Sequence, residues 1–244
     1  GLGAIGVQVA NGAHALGMNV IGFDPGITVK RAWEMSSDVR QAASIEELLA
    51  NADYVSFHVP LVDATRNMIN ADRLKLIKDN AVILNFSRDG VVDDAAVVAA
   101  IDEGKVYSYV CDFPSNLLKN HPRVITLPHL GASTQQAEEN CAEMVADEVR
   151  EFLENGNVRN SVNFPELHMP RNGNFRVAVV NENVPNMLGQ ISTCMADAGL
   201  NILDMLNKSR DELAYTLVDV QAEVEDVCLD HMRSIKGVLN VRAL

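Results

Sequence analysis

The sequence contains no apolar run approaching the ~18 residues that a membrane-spanning helix needs, so no membrane partner is expected. Its N-terminus has no basic stretch followed by an apolar one, and no signal peptide is visible. The expected location is the cytoplasm. Positive charge is scarce: 20 Lys and Arg stand against 33 Asp and Glu, a net charge of −13 over 244 residues. Binding to nucleic acid needs clustered Lys and Arg, so nucleic acid is excluded as the main partner. The four cysteines, Cys111, Cys141, Cys194 and Cys228, show no C-x-x-C spacing. They read as buried or inert thiols in a reducing compartment, with neither a disulfide framework nor a metal site. Repeats and low-complexity segments are also missing.

What is present is an ordered alternation. Residues 18–24, 52–60, 80–87, 106–113 and 123–129 are short apolar, β-branched runs that each end in polar or turn residues. Helix-like segments separate them, among them "SIEELLANA", where Ser44 and Glu47 have the spacing of a capping box. Alternation of this kind predicts a Rossmann-type, doubly wound parallel sheet with helices on both faces. Ligands bind such sheets at the C-terminal ends of the strands. From about 132 to 155 one apolar stripe (Ala137, Cys141, Met144, Val145, Val149, Phe152, Leu153) predicts a single long helix closed by Gly156. Residues 157–173, rich in Asn, Pro and Gly, read as a linker. Residues 174–244 then follow the order βαββαβ, a small ferredoxin-like domain.

The chain opens on "GLGAIG", a G-x-G-x-x-G loop running directly into a helical segment. A β-strand normally delivers the chain into such a loop, and that strand is expected to precede residue 1. The helix N-terminus would face a dinucleotide pyrophosphate, with Gly1, Gly3, Ala4, Ile5 and Gly6 around it. Asp24, about twenty residues later at the end of "NVIGFD", can accept hydrogen bonds from both ribose hydroxyls and repel a 2′-phosphate. The predicted cofactor is therefore NAD, a preference that the nearby Lys30 and Arg31 soften.

Three further stretches, "NFSRDGVVDDAAVVAAIDEGKV" (85–106), "DFPSN" (112–116) and "HPRVITLPHLGAST" (121–134), resemble the D-isomer-specific 2-hydroxyacid dehydrogenases in letters, order and spacing. The resemblance spans roughly residues 1–155. It implies hydride transfer between NAD and C2 of a small hydroxy or keto acid. His129, in "LPHLGAS", falls at the family's acid/base position, and an imidazole suits a proton step at neutral pH. Arg88 would bind the substrate carboxylate and polarise the C2 oxygen with its fork of donors. Asp112 resembles the aspartate that receives the nicotinamide carboxamide, and Leu130, Gly131 and Ala132 would pass close to the same ring. His58 would lie beside the adenine pocket; Val59, Pro60, Phe86 and Ser87 complete the expected cofactor contacts.

One position departs from the family pattern. A glutamate that pairs with the histidine is usual a few residues past the aspartate, and Asn116 stands there. Residues 114–136 contain no Asp or Glu. Asparagine can orient an imidazole but cannot offset its charge, so the partner carboxylate is expected to be absent or to come from upstream of residue 1.

The C-terminal unit resembles an ACT domain in "VVNENVPNMLGQIS" (179–192) and "AGLNILDM" (198–205). That resemblance implies pairing with a second copy, hence a homo-oligomer, and an amino-acid effector held by Asn181, Asn183 and Asn201. The combination of the two domains implies a phosphorylated three-carbon hydroxy acid as substrate and L-serine as effector. Reduction of hydroxypyruvate or glyoxylate, and a non-catalytic NAD-binding regulator, are the alternatives.

Overall fold

A computed structural model describes residues 1–173 and 175–244; residue 174, the expected start of the second domain, lies outside the described residues. The chain divides into two compact units, Gly1–Leu130 and Gly131–Leu244.

The first unit runs α1 (Ala4–Ala15), β1 (Ile21–Gly22), α2 (Val29–Glu34), β2 (Arg40–Gln41), α3 (Ile45–Asn51), β3 (Tyr54–Phe57), α4 (Ala71–Leu74), β4 (Ala81–Asn85), α5 (Asp94–Asp102), β5 (Val106–Cys111) and β6 (Val124–Thr126). Strands β3-β4-β5-β6 form one sheet, parallel throughout. The first two strands form a separate parallel pair and do not hydrogen-bond to that sheet, so the single continuous sheet expected from the alternation is divided in two. Helix starts follow their local chemistry. Ser44 Oγ accepts from Glu47 N–H at 3.1 Å, while the Glu47 carboxylate reaches Ala43 N–H at 2.7 Å, one residue earlier than a standard capping box. Asp93 caps α5 by accepting from the N–H groups of Ala95 and Ala96. Ile83, Val91, Val97, Val106 and Cys111 are fully buried in the core that welds α5 to the sheet. Full burial of each such aliphatic side chain contributes roughly 1.5–3 kcal/mol. Because the four strands are parallel, Phe57, Asn85, Cys111 and Thr126 all end on one edge of the sheet.

The second unit comprises α6 (Gln135–Asn155), β7 (Phe175–Glu182), α7 (Met187–Asp197), β8 (Ile202–Arg210), β9 (Leu213–Val220), α8 (Asp226–Ser234) and β10 (Val238–Ala243). Its βαββαβ order makes an antiparallel sheet, β10-β7-β9-β8. The period-2 alternation of the strands serves two cores. Val177, Val179, Val218 and Val220 pack with Ile191 and Met195 of α7 and Leu229 and Met232 of α8. Ala178, Tyr215 and Leu217 point to the other face, where Val158, Leu167 and Met169 cover them.

Residues 157–173 are thus more than a connector. Val158 and Leu167 exchange both backbone hydrogen bonds, at 2.8 and 3.1 Å, and Leu167 is fully buried. Arg176 and Asp219 are cross-strand partners beneath this segment, both inaccessible to solvent. The guanidinium donates to both Asp219 oxygens (2.5 and 2.8 Å) and to the carbonyls of Asn155, Met169 and Pro170. Asn172 N–H also donates to Asp219, at 2.9 Å. Asn, Pro and Gly content predicted a linker because the clamp holding the segment lies on residues further along the chain. Helix α6 is closed by Gly156 at φ +72°, as the sequence indicates, and its start is capped by Thr134, whose hydroxyl accepts from Ala137 N–H. Met144, Val145, Val149 and Leu153 of its apolar stripe are exposed.

Candidate active site

The edge where the parallel strands end gathers most of the predicted site. His58, Val59 and Pro60 follow β3; Phe86, Ser87 and Arg88 follow β4; Asp112 follows β5; His129 and Leu130 lie just past β6. This is the edge at which a parallel α/β sheet leaves backbone groups free for a ligand. Gly131 and Ala132 fall in the second unit.

The glycine loop is shaped by close approaches. A Cβ on Gly6 would collide with the Gly1 carbonyl, and one on Gly1 with the His58 carbonyl and Val59 side chain. Gly3 differs: nothing lies within 4 Å of where its Cβ would be. It is the N-cap of α1 and makes no side-chain cap bond, so the first-turn N–H groups face that open space. Asp24, expected to await ribose hydroxyls, holds the loop itself. Its carboxylate accepts from Leu2 N–H at 2.6 Å and from Gly26 N–H at 2.9 Å. His58 shares a hydrogen bond with Ser56 Oγ at 3.0 Å, and burial pushes its pKa below the usual imidazole value.

Two loops carry the groups able to do chemistry. After β4, buried Asn85 organises the turn: its amide oxygen accepts from Ser87 N–H (3.2 Å) and Ser87 Oγ–H (2.8 Å). Its amide nitrogen donates to the Arg88 carbonyl at 3.0 Å. Arg88 itself is exposed, with one guanidinium N–H donating to the Ser87 carbonyl at 2.6 Å. Across β5, His129 Nδ1 stands 2.7 Å from Asp112 Oδ2. The imidazole is 49% exposed and the carboxylate 11%, so one edge of the ring is held while the other faces outward. Phe113 backs the imidazole, ring centroids 4.5 Å apart. The second Asp112 oxygen, Oδ1, is buried and has no hydrogen-bond partner among the described residues.

Position 116 is a correction. Asn116, expected at the histidine, is exposed and accepts from Lys119 Nζ at 3.1 Å. The carboxylate expected to be missing is present four residues earlier, on Asp112, because the chain leaves β5 beside the end of β6. Asn85 and Phe113 were not singled out from sequence. A polar residue closing the apolar run "AVILN" was the available signal for the first; the second had none beyond adjacency to Asp112.

In the second unit the three asparagines expected to share one effector do not meet. Asn181 lies at the C-terminal end of β7, and its Oδ1 is buried without a partner among the described residues, while Nδ2 donates to the Glu182 carbonyl at 2.7 Å. Asn183 donates to the Asp211 carbonyl at 3.1 Å. Asn201 precedes β8, whose first residue, Ile202, pairs with Val220, itself opposite Phe175. Strands β7 and β8 both run antiparallel to β9, so Asn201 sits at the start of β7 and Asn181 at its end. Six residues of strand separate the two levels, about 20 Å.

Among the described residues no helix is long and apolar enough to cross a membrane, and no three His, Cys, Asp or Glu side chains are grouped to hold a metal. The D-3-phosphoglycerate dehydrogenase of Haemophilus influenzae is 32% identical over 256 residues, covering 100% of this chain and 61% of that protein. The D-3-phosphoglycerate dehydrogenase of Methanocaldococcus jannaschii is 34% identical over 84% of this chain and 40% of its own length. The chain thus spans about three fifths or less of these relatives. Among solved structures, a glyoxylate reductase from Paecilomyes thermophila aligns with a TM-score of 0.59 and 32% identity, over 66% of this chain and 50% of that one. An NAD-complexed D-isomer specific 2-hydroxyacid dehydrogenase from Lactobacillus delbrueckii aligns with a TM-score of 0.58 and 26% identity, over 67% and 54%. The family model for the D-isomer specific 2-hydroxyacid dehydrogenase NAD binding domain matches residues 1–131. With its glycine loop, its parallel sheet and its histidine–aspartate pair at the strand ends, the chain belongs to the D-isomer specific 2-hydroxyacid dehydrogenases, and residues 1–131 are their NAD-binding domain.

Proposed function

We propose that this chain forms the cofactor and regulatory parts of an NAD-dependent dehydrogenase that oxidises D-3-phosphoglycerate to 3-phosphohydroxypyruvate. The observation that carries the chemistry is the 2.7 Å contact between His129 Nδ1 and Asp112 Oδ2. A carboxylate only accepts, so the proton in this bond sits on Nδ1, and Nε2 is left as the acceptor for substrate. His129 then takes the proton of the C2 hydroxyl, and Asp112 stabilises the resulting imidazolium. Arg88 binds the substrate carboxylate by its fork of donors. NAD, when bound, supplies the hydride acceptor. The open space over Gly3, the free first-turn N–H groups of α1 and the unpartnered Asp112 Oδ1 fit its pyrophosphate and carboxamide.

The share of the chain that each relative matches supports the phosphorylated substrate. The Haemophilus relative matches both units of this chain, whereas the glyoxylate reductase matches 66% of it. The βαββαβ unit is proposed as an ACT-type regulatory domain with L-serine as effector. Asn201 and Asn181 are about 20 Å apart along the sheet, so a serine site using both needs a second copy; the edge strand β8 and the exposed stripe of α6 are suited to such pairing. Similarity to a glyoxylate reductase keeps reduction of unphosphorylated acids as the second reading.

The test follows NADH consumption by the full-length protein with 3-phosphohydroxypyruvate, hydroxypyruvate and glyoxylate, each with and without L-serine. Preference for the phosphorylated acid with inhibition by serine is expected. Turnover of the unphosphorylated acids alone would transfer the assignment to the reductase.

A further inference from the structure

The four cysteines are scattered in sequence, yet two of them meet. Cys194 lies on α7 and Cys228 on α8, 34 residues apart, and their sulfurs are 3.8 Å from each other. Both are buried, and each thiol also points at the other's backbone carbonyl: Cys194 Sγ to Cys228 O at 3.6 Å, Cys228 Sγ to Cys194 O at 3.8 Å. A disulfide has an S–S length of about 2.05 Å, so closure moves the sulfurs together by under 2 Å. Cys194 also lines a groove of about 400 Å³ between the two helices, with Gln190, Thr193, Asp197 and His231. Cys228 does not line it.

We propose that Cys194 and Cys228 are a site of reversible disulfide formation, driven by a hydroperoxide that reaches Cys194 through this groove. The two thiols have different parts. Cys194 lines the groove and Cys228 does not, so Cys194 is the thiol that meets the peroxide first, and burial together with the neighbouring thiol raises the Cys228 pKa. Cys194 as thiolate attacks a peroxide oxygen: an S–O bond forms, the O–O bond breaks, and hydroxide leaves to become water. The sulfur loses two electrons to the peroxide and is left as a sulfenic acid. Cys228 then attacks that sulfur, the S–S bond forms, the S–O bond breaks, and its proton leaves with the hydroxyl as a second water. The balance is two thiols and one hydrogen peroxide to one disulfide and two waters. The bond ties α7 to α8, the two helices that cover one face of the β10-β7-β9-β8 sheet. Closing a loop of this length stabilises the fold mainly by restricting the unfolded chain.

The test uses the whole chain carrying Cys141→Ser, because Cys141 is exposed and would react independently. After hydrogen peroxide and alkylation of remaining thiols, peptide mass spectrometry should find Cys194 joined to Cys228. The melting temperature should rise by several degrees and return on treatment with dithiothreitol. In a Cys228→Ser variant, dimedone should capture Cys194 as sulfenic acid. Recovery of both cysteines alkylated, or of Cys194 over-oxidised with Cys228 still a free thiol, would overturn the proposal.

Discussion

Asp112 Oδ2 lies 2.7 Å from His129 Nδ1, although seventeen residues separate them in the chain. The contact exists because β5 and β6 are adjacent parallel strands, Cys111 pairing with Thr126, so the residues just past each strand emerge side by side. Fixing one ring nitrogen orients the other, and general acid–base catalysis depends on that orientation.

The glycine loop separates packing from binding. Gly3→Ala meets nothing in the fold and Gly3 has φ −73°, so the melting temperature should stay unchanged. The added methyl intrudes where the pyrophosphate approaches, and the Kd for NADH should rise by about tenfold or more. Gly6→Ala strikes the Gly1 carbonyl and should lower both the melting temperature and NADH affinity. Thermal denaturation and NADH fluorescence titration on the two variants provide the check.

Asn85 is the support beneath Arg88. Asn85→Ala leaves the Ser87 N–H and the Arg88 carbonyl without their partner. Unsatisfied groups of this kind cost about 1–3 kcal/mol, readable as a lower urea midpoint. Because the Arg88 backbone is released while its guanidinium remains, KM for the keto acid should rise several-fold with NADH affinity little changed. Equal loss of both would show general collapse of the sheet edge instead.

The buried Arg176–Asp219 pair predicts acid sensitivity. Burial alone would raise the Asp219 pKa, but hydrogen bonds from Arg176 and Asn172 N–H outweigh it and hold the carboxyl below its usual value. A depressed folded-state value contributes stability above the ordinary Asp pKa, about 3.9, and that stability is lost as pH falls through the folded value. Asp219→Asn should therefore flatten the decline in melting temperature below about pH 4. Arg176→Met strands the carboxylate and the carbonyls of Asn155, Met169 and Pro170, and should destabilise the chain by about 3–5 kcal/mol. Urea unfolding across this pH range tests both variants.

How much of this was legible in the sequence depended on the range of the interaction. The existence of the four parallel strands, though each ends two or three residues earlier than its apolar run, the closure of α6 at Gly156 and the order of the βαββαβ unit follow from local periodicity and turn chemistry. Contacts set by strand adjacency were hidden. Asn116 drew attention as the residue at a known position, while Asp112, one strand over from His129, supplied the carboxylate. Residues 157–173 looked like a connector because Arg176 and Asp219, which fasten them, belong to strands that follow. Asn181 and Asn201 look close in a motif, and only the register through β9 shows them at opposite ends of the sheet. The Cys194–Cys228 contact depends on how α7 and α8 pack, which no spacing rule encodes.

The central claim is that Asp112 is the partner through which His129 acts. The most direct measurement compares kcat for reduction of 3-phosphohydroxypyruvate by full-length Asp112→Asn and Asn116→Ala proteins at saturating NADH. The account predicts a fall of about a hundredfold or more for Asp112→Asn, the scale of a general acid–base contribution. It predicts a change of less than about threefold for Asn116→Ala, whose exposed side chain accepts from Lys119. A large loss at position 116 with near-normal turnover by Asp112→Asn would contradict it.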